Sequence, residues 1–336
     1  MRMADTFDTN GYVQVVQGGR VSLEKSNIRT QKNCLQRMNT EKLFNRIKTD
    51  LELKLRFPAD KPEETIDSTL KACWFAASGF PKSAEEAIKQ PLPELTKKQI
   101  NSLHHLIEQR LNNTPLAHIT GRQSFMGIEL LSDNRALIPR KETEILGRKA
   151  LELSFQIAQE KQIVRVMDVC CGAGNLGLAL AHFNQNIVVS ATDLSREAVE
   201  LTRDNISFLN LRQRVQVEQG DLFSAFEREE YYENTDLIIC NPPYISSAKV
   251  TKMNTEISAH EPVLAFDGGM FGTKIIQKLI GEAPKFLTKA GWVIFEVGVG
   301  QGEFIMRLCE STNKYIQIES VSDDSGNIRV ILARKE

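Results

Sequence analysis

From Ile163 to the C-terminus, short apolar runs alternate with amphipathic helical stretches, and this alternation restricts the fold more than any other feature. The spacing predicts strands over 163–169, 187–192, 214–218, 236–240 and 291–297 and helices over 175–183, 195–208, 273–287 and 302–311. A closing pair of strands is predicted near 315–320 and 327–333. Strands joined by helical crossovers run mostly parallel, because each crossover returns the chain to the same end of the sheet, and the helices cover both faces. An open α/β sheet of this kind binds ligands at the carboxyl ends of its strands.

Upstream the pattern changes. Leu43, Phe44, Ile47, Leu51 and Leu55 recur at helical spacing until Pro58 and Pro62 close the segment. A second helix is predicted over 63–78, stopping at Gly79-Phe80-Pro81, and a third over 97–112. Residues 117–139 turn β-prone, with Gly121 and Gly127 as turn residues, and a helix follows over 141–159. The expected organisation starts with a poorly ordered extension over 1–40, carrying one short strand near Tyr12–Val16 and an alternative start at Met38. A small helical domain over 41–116, for packing or substrate recognition, a β-hairpin linker over 117–140 and an α/β domain over 141–336 complete it.

The formal net charge of −1 divides into +3 over residues 1–40, +1 over 41–160 and −5 over 161–336. No segment has the basic excess with which a protein neutralises many phosphates, so direct nucleic-acid binding is not expected. The cysteines at 34, 73, 170, 171, 240 and 309 show no CxxC pair and no zinc or disulfide spacing. They read as reduced thiols, and no metal is expected. No apolar run approaches the ~18 residues of a membrane span, so a cytoplasmic protein without membrane contact is the expectation.

Four motifs stand at predicted strand ends. The first strand runs into Asp168-Val169-Cys170-Cys171-Gly172-Ala173-Gly174, and Asn175 opens the next helix. Gly172 and Gly174 permit a tight turn and a close approach of helix N–H groups to a ligand. Asp193, ending the second strand, suits ribose hydroxyls, and on these two motifs a dinucleotide remains open. Gly220-Asp221-Leu222-Phe223 ends the third strand, where a carboxylate can accept an adenine amino group between apolar side chains. Asn241-Pro242-Pro243-Tyr244 ends the fourth, and its two prolines stop the ladder and stiffen the loop. Asn241 and the Pro242 carbonyl can accept both hydrogens of one planar NH2 group, while Tyr244 can pack on its π-face. Such a site suits methylation of an amino or amide nitrogen conjugated to a π-system.

This convergence resembles the class I S-adenosylmethionine-dependent methyltransferases. The resemblance implies a Rossmann-like sheet of seven strands, the last pair including one antiparallel strand. It also implies that S-adenosyl-L-methionine meets Asp168, Cys170, Cys171, Gly172, Ala173 and Gly174 in the loop, Asp193 and Leu194 at the ribose, Asp221 and Leu222 at the adenine, and Asn241. Cys170 replaces the usual first glycine of the loop, as a small residue that a negative-φ position would tolerate.

Further motifs narrow the likeness. Thr114–Gly121, Ser124–Gly127, Leu137–Glu144, Glu261–Gly269 and Gly291–Gly298 resemble the signatures of the release factor glutamine methyltransferases, over about residues 41–334. Lys141 stands where that family usually has proline. The implied reaction is methyl transfer to the side-chain amide nitrogen of the Gly-Gly-Gln glutamine of peptide chain release factors. Cys170 resembles a sibling branch that modifies a glutamine of a large-subunit ribosomal protein, whereas Pro139–Glu144 resembles the release factor branch, which is favoured.

On this reading Asn241, Pro242 and Tyr244 are catalytic, and Asn241, Pro242, Pro243, Tyr244 and Phe125 contact the substrate, with Phe125 equally readable as hairpin core. Glu142 and Thr143 are read as helix-capping residues, and Arg140 faces the peptide or pairs with Glu261. His118, His182 and His260 are read as structural or solvent-facing, since the protonated amide product is acidic enough to need no base. Two rivals remain: a nucleic-acid amino-methyltransferase, because adenine presents a similar NH2, and a cofactor-binding scaffold without turnover.

Overall fold

The computed structural model describes residues 40–57, 61–250, 260–269 and 271–336. The strand expected near Tyr12–Val16 lies outside them. The chain groups into two units, residues 1–49 and 50–336. In the first, residues 40–49 are helical, within a helix α1 over 40–54.

The second unit begins with helices α2 (Ile66–Ser78), α3 (Ala84–Ile88), α4 (Lys97–Leu111) and α5 (Leu116–Thr120). The longer two open on reciprocal side-chain caps, Thr65 with Ser68 and Thr96 with Gln99. α2 stops at Gly79, whose φ of 89° is left-handed. Glu64 and Arg110 form a buried ion pair at 3.0 Å that ties the entry of α2 to the end of α4. The short helices α3 and α5 were absent from the sequence reading, because five residues hold little more than one turn of a helical period. Residues 117–120, expected to be β-prone, are helical instead, and Gly121 ends that turn rather than a strand turn.

The hairpin itself is present as β1 (Arg122–Phe125) and β2 (Ile128–Leu131), with Phe125 opposite Ile128. Its two turn residues, Met126 and Gly127, have φ of 51° and 89°, the positive pair that matches strand twist in a two-residue hairpin.

The α/β region follows as α6 (Glu144–Ala158), β3 (Val164–Val169), α7 (Asn175–Phe183), β4 (Ile187–Asp193), α8 (Arg196–Phe208), β5 (Val215–Gln219) and β6 (Thr235–Cys240). It ends with α9 (Ser247–Val250), α10 (Lys274–Phe286), β7 (Leu287–Glu296), α11 (Gly302–Ser311), β8 (Tyr315–Ser322) and β9 (Ile328–Lys335). The seven strands lie in the order β5-β4-β3-β6-β7-β9-β8, and β9 runs antiparallel to both neighbours. β7 starts earlier than expected: Leu287 pairs with Thr235, and the register then jumps so that Trp292 faces Leu237. Ala290, with φ of 61°, sits in that irregularity, so Gly291 falls inside the strand rather than at its start.

Period-two alternation divides the core between the two faces of the sheet. Val166, Leu237, Ile239, Ile294 and Leu332 pack with Leu146, Ala150 and Leu153 of α6 and with α7. Ile238, Cys240, Val293, Phe295 and Ile331 pack with Ile276, Leu279 and Ala283 of α10 and with Ile305 of α11. The chain leaves β3 in one direction to β4 and β5, then crosses back to β6, so the carboxyl ends of β3 and β6 border a topological switch point.

Candidate active site

Directly after β3 and β6 lie the glycine loop and the Asn-Pro-Pro-Tyr segment, and both open onto one cleft. Of the residues expected to act, Cys170, Cys171, Gly172, Asp193, Leu194, Asp221, Leu222, Asn241 and Pro243 line it. Asp168 and Ala173 are buried beneath. Gly174, with φ of 80°, caps α7 and leaves no room for a Cβ, which would stand 2.8 Å from Thr202.

Cys170 overturns one expectation. Its φ is 59°, not negative, so the loop keeps the left-handed turn that favours glycine and imposes it on a side chain. Asp193 holds the loop from the next strand: Oδ2 accepts Gly172 N–H at 2.8 Å and Oδ1 accepts Ser195 N–H at 2.9 Å. Burial pushes its pKa upward, opposed by those amides. Asp168 accepts Gly177 N–H at 2.8 Å through Oδ2, while its Oδ1 has no partner among the described residues. Burial raises its pKa to about 7, with the Asp193 charge adding to the rise. Asp193 and Asp221 line the cleft, as do Arg135 and Arg140, each of which is paired with an acidic side chain. Leu194, Leu222 and Ile275 supply apolar walls, and exposed Asp221 pairs with Lys278 at 2.6 Å. The arrangement suits a ligand with a flat nucleoside portion.

Asn241 Nδ2 donates to Thr143 Oγ1 at 3.2 Å. Thr143 occupies the N-cap position of α6 but makes no capping bond, and Glu142 likewise reaches away, within 3.5 Å of the Tyr244 hydroxyl, so the capping expectation fails for both. Tyr244 does not line the cleft. Its hydroxyl donates to Glu296 Oε1 at 2.8 Å, and Arg329 donates to the same oxygen at 3.1 Å. Pro242 is buried. Phe125 is fully buried in the hairpin core, and its ring meets Gly147 of α6, so it is no wall of the site.

Sequence reading missed several residues that set this geometry. Thr202 Oγ1 donates to the Gly172 carbonyl at 2.8 Å, and Asn205 Nδ2 donates to the carbonyls of Ala173 and Leu131 at 3.0 and 3.1 Å. Both lie on the apolar face of α8 beside Ala198, Leu201 and Ile206, where an uncharged polar residue is the signal for a buried tether. Gln301 Nε2 donates to the Tyr244 carbonyl at 3.0 Å and its Oε1 accepts Gly298 N–H at 2.8 Å, fixing the far end of the loop. The ion pair expected as one option for Arg140 is formed: Arg140 and Glu261 meet at 2.5 Å, both buried, and Glu261 Oε2 accepts Ile138 N–H at 2.9 Å. His118 is half-buried, and that burial lowers its pKa.

Comparison with known proteins decides the kinship. The methyltransferase small domain family matches residues 150–271. A release factor glutamine methyltransferase of Thermodesulfovibrio yellowstonii is 31% identical over 243 residues, 72% of this chain and 84% of that protein. The chain belongs to the release factor glutamine methyltransferase family. The enzyme of that name from Clostridium acetobutylicum is 30% identical over 71% of this chain and 82% of its own. That of Bradyrhizobium diazoefficiens is 33% identical over 74% and 82%. As a family member the chain is a methyltransferase, and among its described residues no helix is long and apolar enough to cross a membrane.

Proposed function

We propose that the protein transfers a methyl group from S-adenosyl-L-methionine to the side-chain amide nitrogen of the Gly-Gly-Gln glutamine in peptide chain release factors. One observation carries the reading: Asn241, of the Asn-Pro-Pro-Tyr loop, shares a cleft with Asp193 and the Cys170–Gly172 turn. The residues fit the cofactor. Asp193 brings a carboxyl group to the cleft and retains lone pairs for ribose hydroxyls, and Leu194, Leu222 and Ile275 flank a space for the adenine. Bound there, the sulfonium supplies an electrophilic methyl group.

The chain's own residues act on the nucleophile. An amide nitrogen is weak because its lone pair is delocalised into the carbonyl. Asn241 Oδ1 and the Pro242 carbonyl accept its two hydrogens, which raises electron density on nitrogen and fixes its direction. Their contribution is positioning and electrostatic preorganisation. Tyr244, held by Glu296 and Arg329, stiffens the loop. The helical segment over 41–116 is proposed to recognise the substrate protein, with residues 117–140 as linker and 141–336 as the catalytic domain.

Separate measurements of cofactor affinity and turnover test these roles. Asn241→Ala lowers turnover by about 10²-fold or more and leaves cofactor binding nearly intact. Asp193→Ala weakens cofactor binding first. Equal losses of both quantities in both variants contradict the assignment.

A further inference from the structure

Lys141 occupies a position where the family usually has proline, inside a strip of chain that borders the cleft. Pro139, Arg140 and Thr143 line that cleft, and Thr143 accepts the hydrogen bond from Asn241. A proline would stiffen the strip through its ring. Lys141 holds it through its side chain instead: Nζ donates to Glu144 Oε1 at 2.8 Å and also pairs with Glu85 of α3. Glu144 is buried and fixed in turn, since Oε1 accepts Met126 N–H at 2.8 Å and Oε2 accepts from Arg148 at 2.6 Å. The lysine thus joins a helix of the 41–116 segment to an anchored carboxylate at the start of α6. Two hydrogen bonds seat the same segment on the hairpin. Glu129 Oε1 accepts Ser83 N–H, just before α3, at 2.7 Å, and Gln123 Nε2 donates to Glu63 Oε1 at 3.1 Å. Gln123 Nε2 also donates to the Pro139 carbonyl at 3.2 Å, so one side-chain amide touches both the helical segment and the cleft strip.

Bonds to the hairpin hold α3 along one side, and the Lys141 bridge holds it from another, which sets its tilt. We infer that Lys141, through Glu85 and Glu144, is a positioning residue for substrate selection. It fixes the distance from α3 to Asn241, so the enzyme favours a glutamine presented by an intact folded protein over the same glutamine in a short peptide. The inference rests on the function proposed above and on the recognition role of residues 41–116. A substrate that touches both places binds well only when their spacing is set, whereas a peptide that enters the cleft alone is indifferent to it. The Lys141 and Glu85 side chains are 24% and 26% exposed, so solvent weakens their pairing. The expected effect is therefore several-fold rather than orders of magnitude.

Lys141→Met keeps the aliphatic stem and removes the charge. With an intact release factor as substrate, Lys141→Met raises KM by about 5-fold and leaves kcat nearly unchanged. With a short Gly-Gly-Gln peptide, followed as substrate or as competing inhibitor, the variant behaves as wild type. Glu85→Gln reproduces the split, and the double variant is no worse than the worse single one, as expected of two partners in one bridge. The inference is overturned if KM for the protein ignores Lys141→Met, if protein and peptide lose equally, or if the two substitutions add. A wild-type enzyme that modifies neither substrate refutes the proposed function instead. Amide hydrogen exchange then decides the bridge alone: Ala87 N–H, bonded to the Ser83 carbonyl in α3, exchanges faster in Lys141→Met if the bridge holds that helix. An unchanged rate there overturns the inference.

Discussion

Cys170 and Asp168 show how single residues carry the constraints of a cofactor loop. Cys170 adopts φ of 59° although it has a Cβ. Left-handed backbone costs an L-residue about 1–2 kcal/mol, part of which glycine returns as chain entropy. Cys170→Gly therefore raises stability by up to about 1 kcal/mol in urea unfolding, and a decrease would show that the thiol's contacts outweigh the strain. Asp168 has a folded pKa of about 7, above the ordinary 3.8. The folded state thus holds the proton more tightly than the unfolded one. Its stabilising contribution is complete below pH 4 and is lost as pH rises toward 7, by up to about 4 kcal/mol. Asp168→Asn removes that slope, so the variant gains stability relative to wild type between pH 5 and pH 8. An unchanged difference across that range contradicts the assignment.

At the scale of elements, the segments before α6 and after β6 are clasped together by charge. Arg140 and Glu261 are both buried, and their chain neighbours Pro139 and Pro262 line the cleft. Breaking such a pair leaves one charge buried and unpaired. Arg140→Ala is expected to cost about 3 kcal/mol in equilibrium unfolding, and a loss under about 1 kcal/mol would place the pair among weak surface bridges. Lys141, the departure from the family's proline, bridges Glu85 of α3 and Glu144 of α6, which gives the substitution a structural reason. Elements with several periods were legible in the sequence: α4, α7, α8 and α11 stand within a residue or two of expectation. What escaped was set by contacts distant in sequence. The early start of β7 follows from pairing with Thr235, and the turn at Thr143 follows from Asn241, neither visible in a local window.

For the molecule as a whole, the alternation of strands and helices predicted a mostly parallel sheet, and the motifs at successive strand ends predicted its cleft. The chain's placement in the release factor glutamine methyltransferase family agrees with those motifs. The candidate site was legible only in part. Residues that line the cleft, Cys170 to Gly172, Asp193, Asp221 and Asn241, announce themselves by motif. Those that hold them, Thr202, Asn205, Glu296, Gln301 and Arg329, are ordinary residues in sequence and acquire a role only when the topology brings their elements together. Phe125 was ambiguous for the converse reason, since an aromatic residue in a hairpin reads alike as pocket wall or core. The measurement that bears most directly on the account is peptide mapping by mass spectrometry after incubating the enzyme, S-adenosylmethionine and an unmodified release factor. The account predicts one added methyl group, on the glutamine of the Gly-Gly-Gln loop. A methyl group found only on a ribosomal protein offered in its place, or on no protein while cofactor still binds, would contradict it.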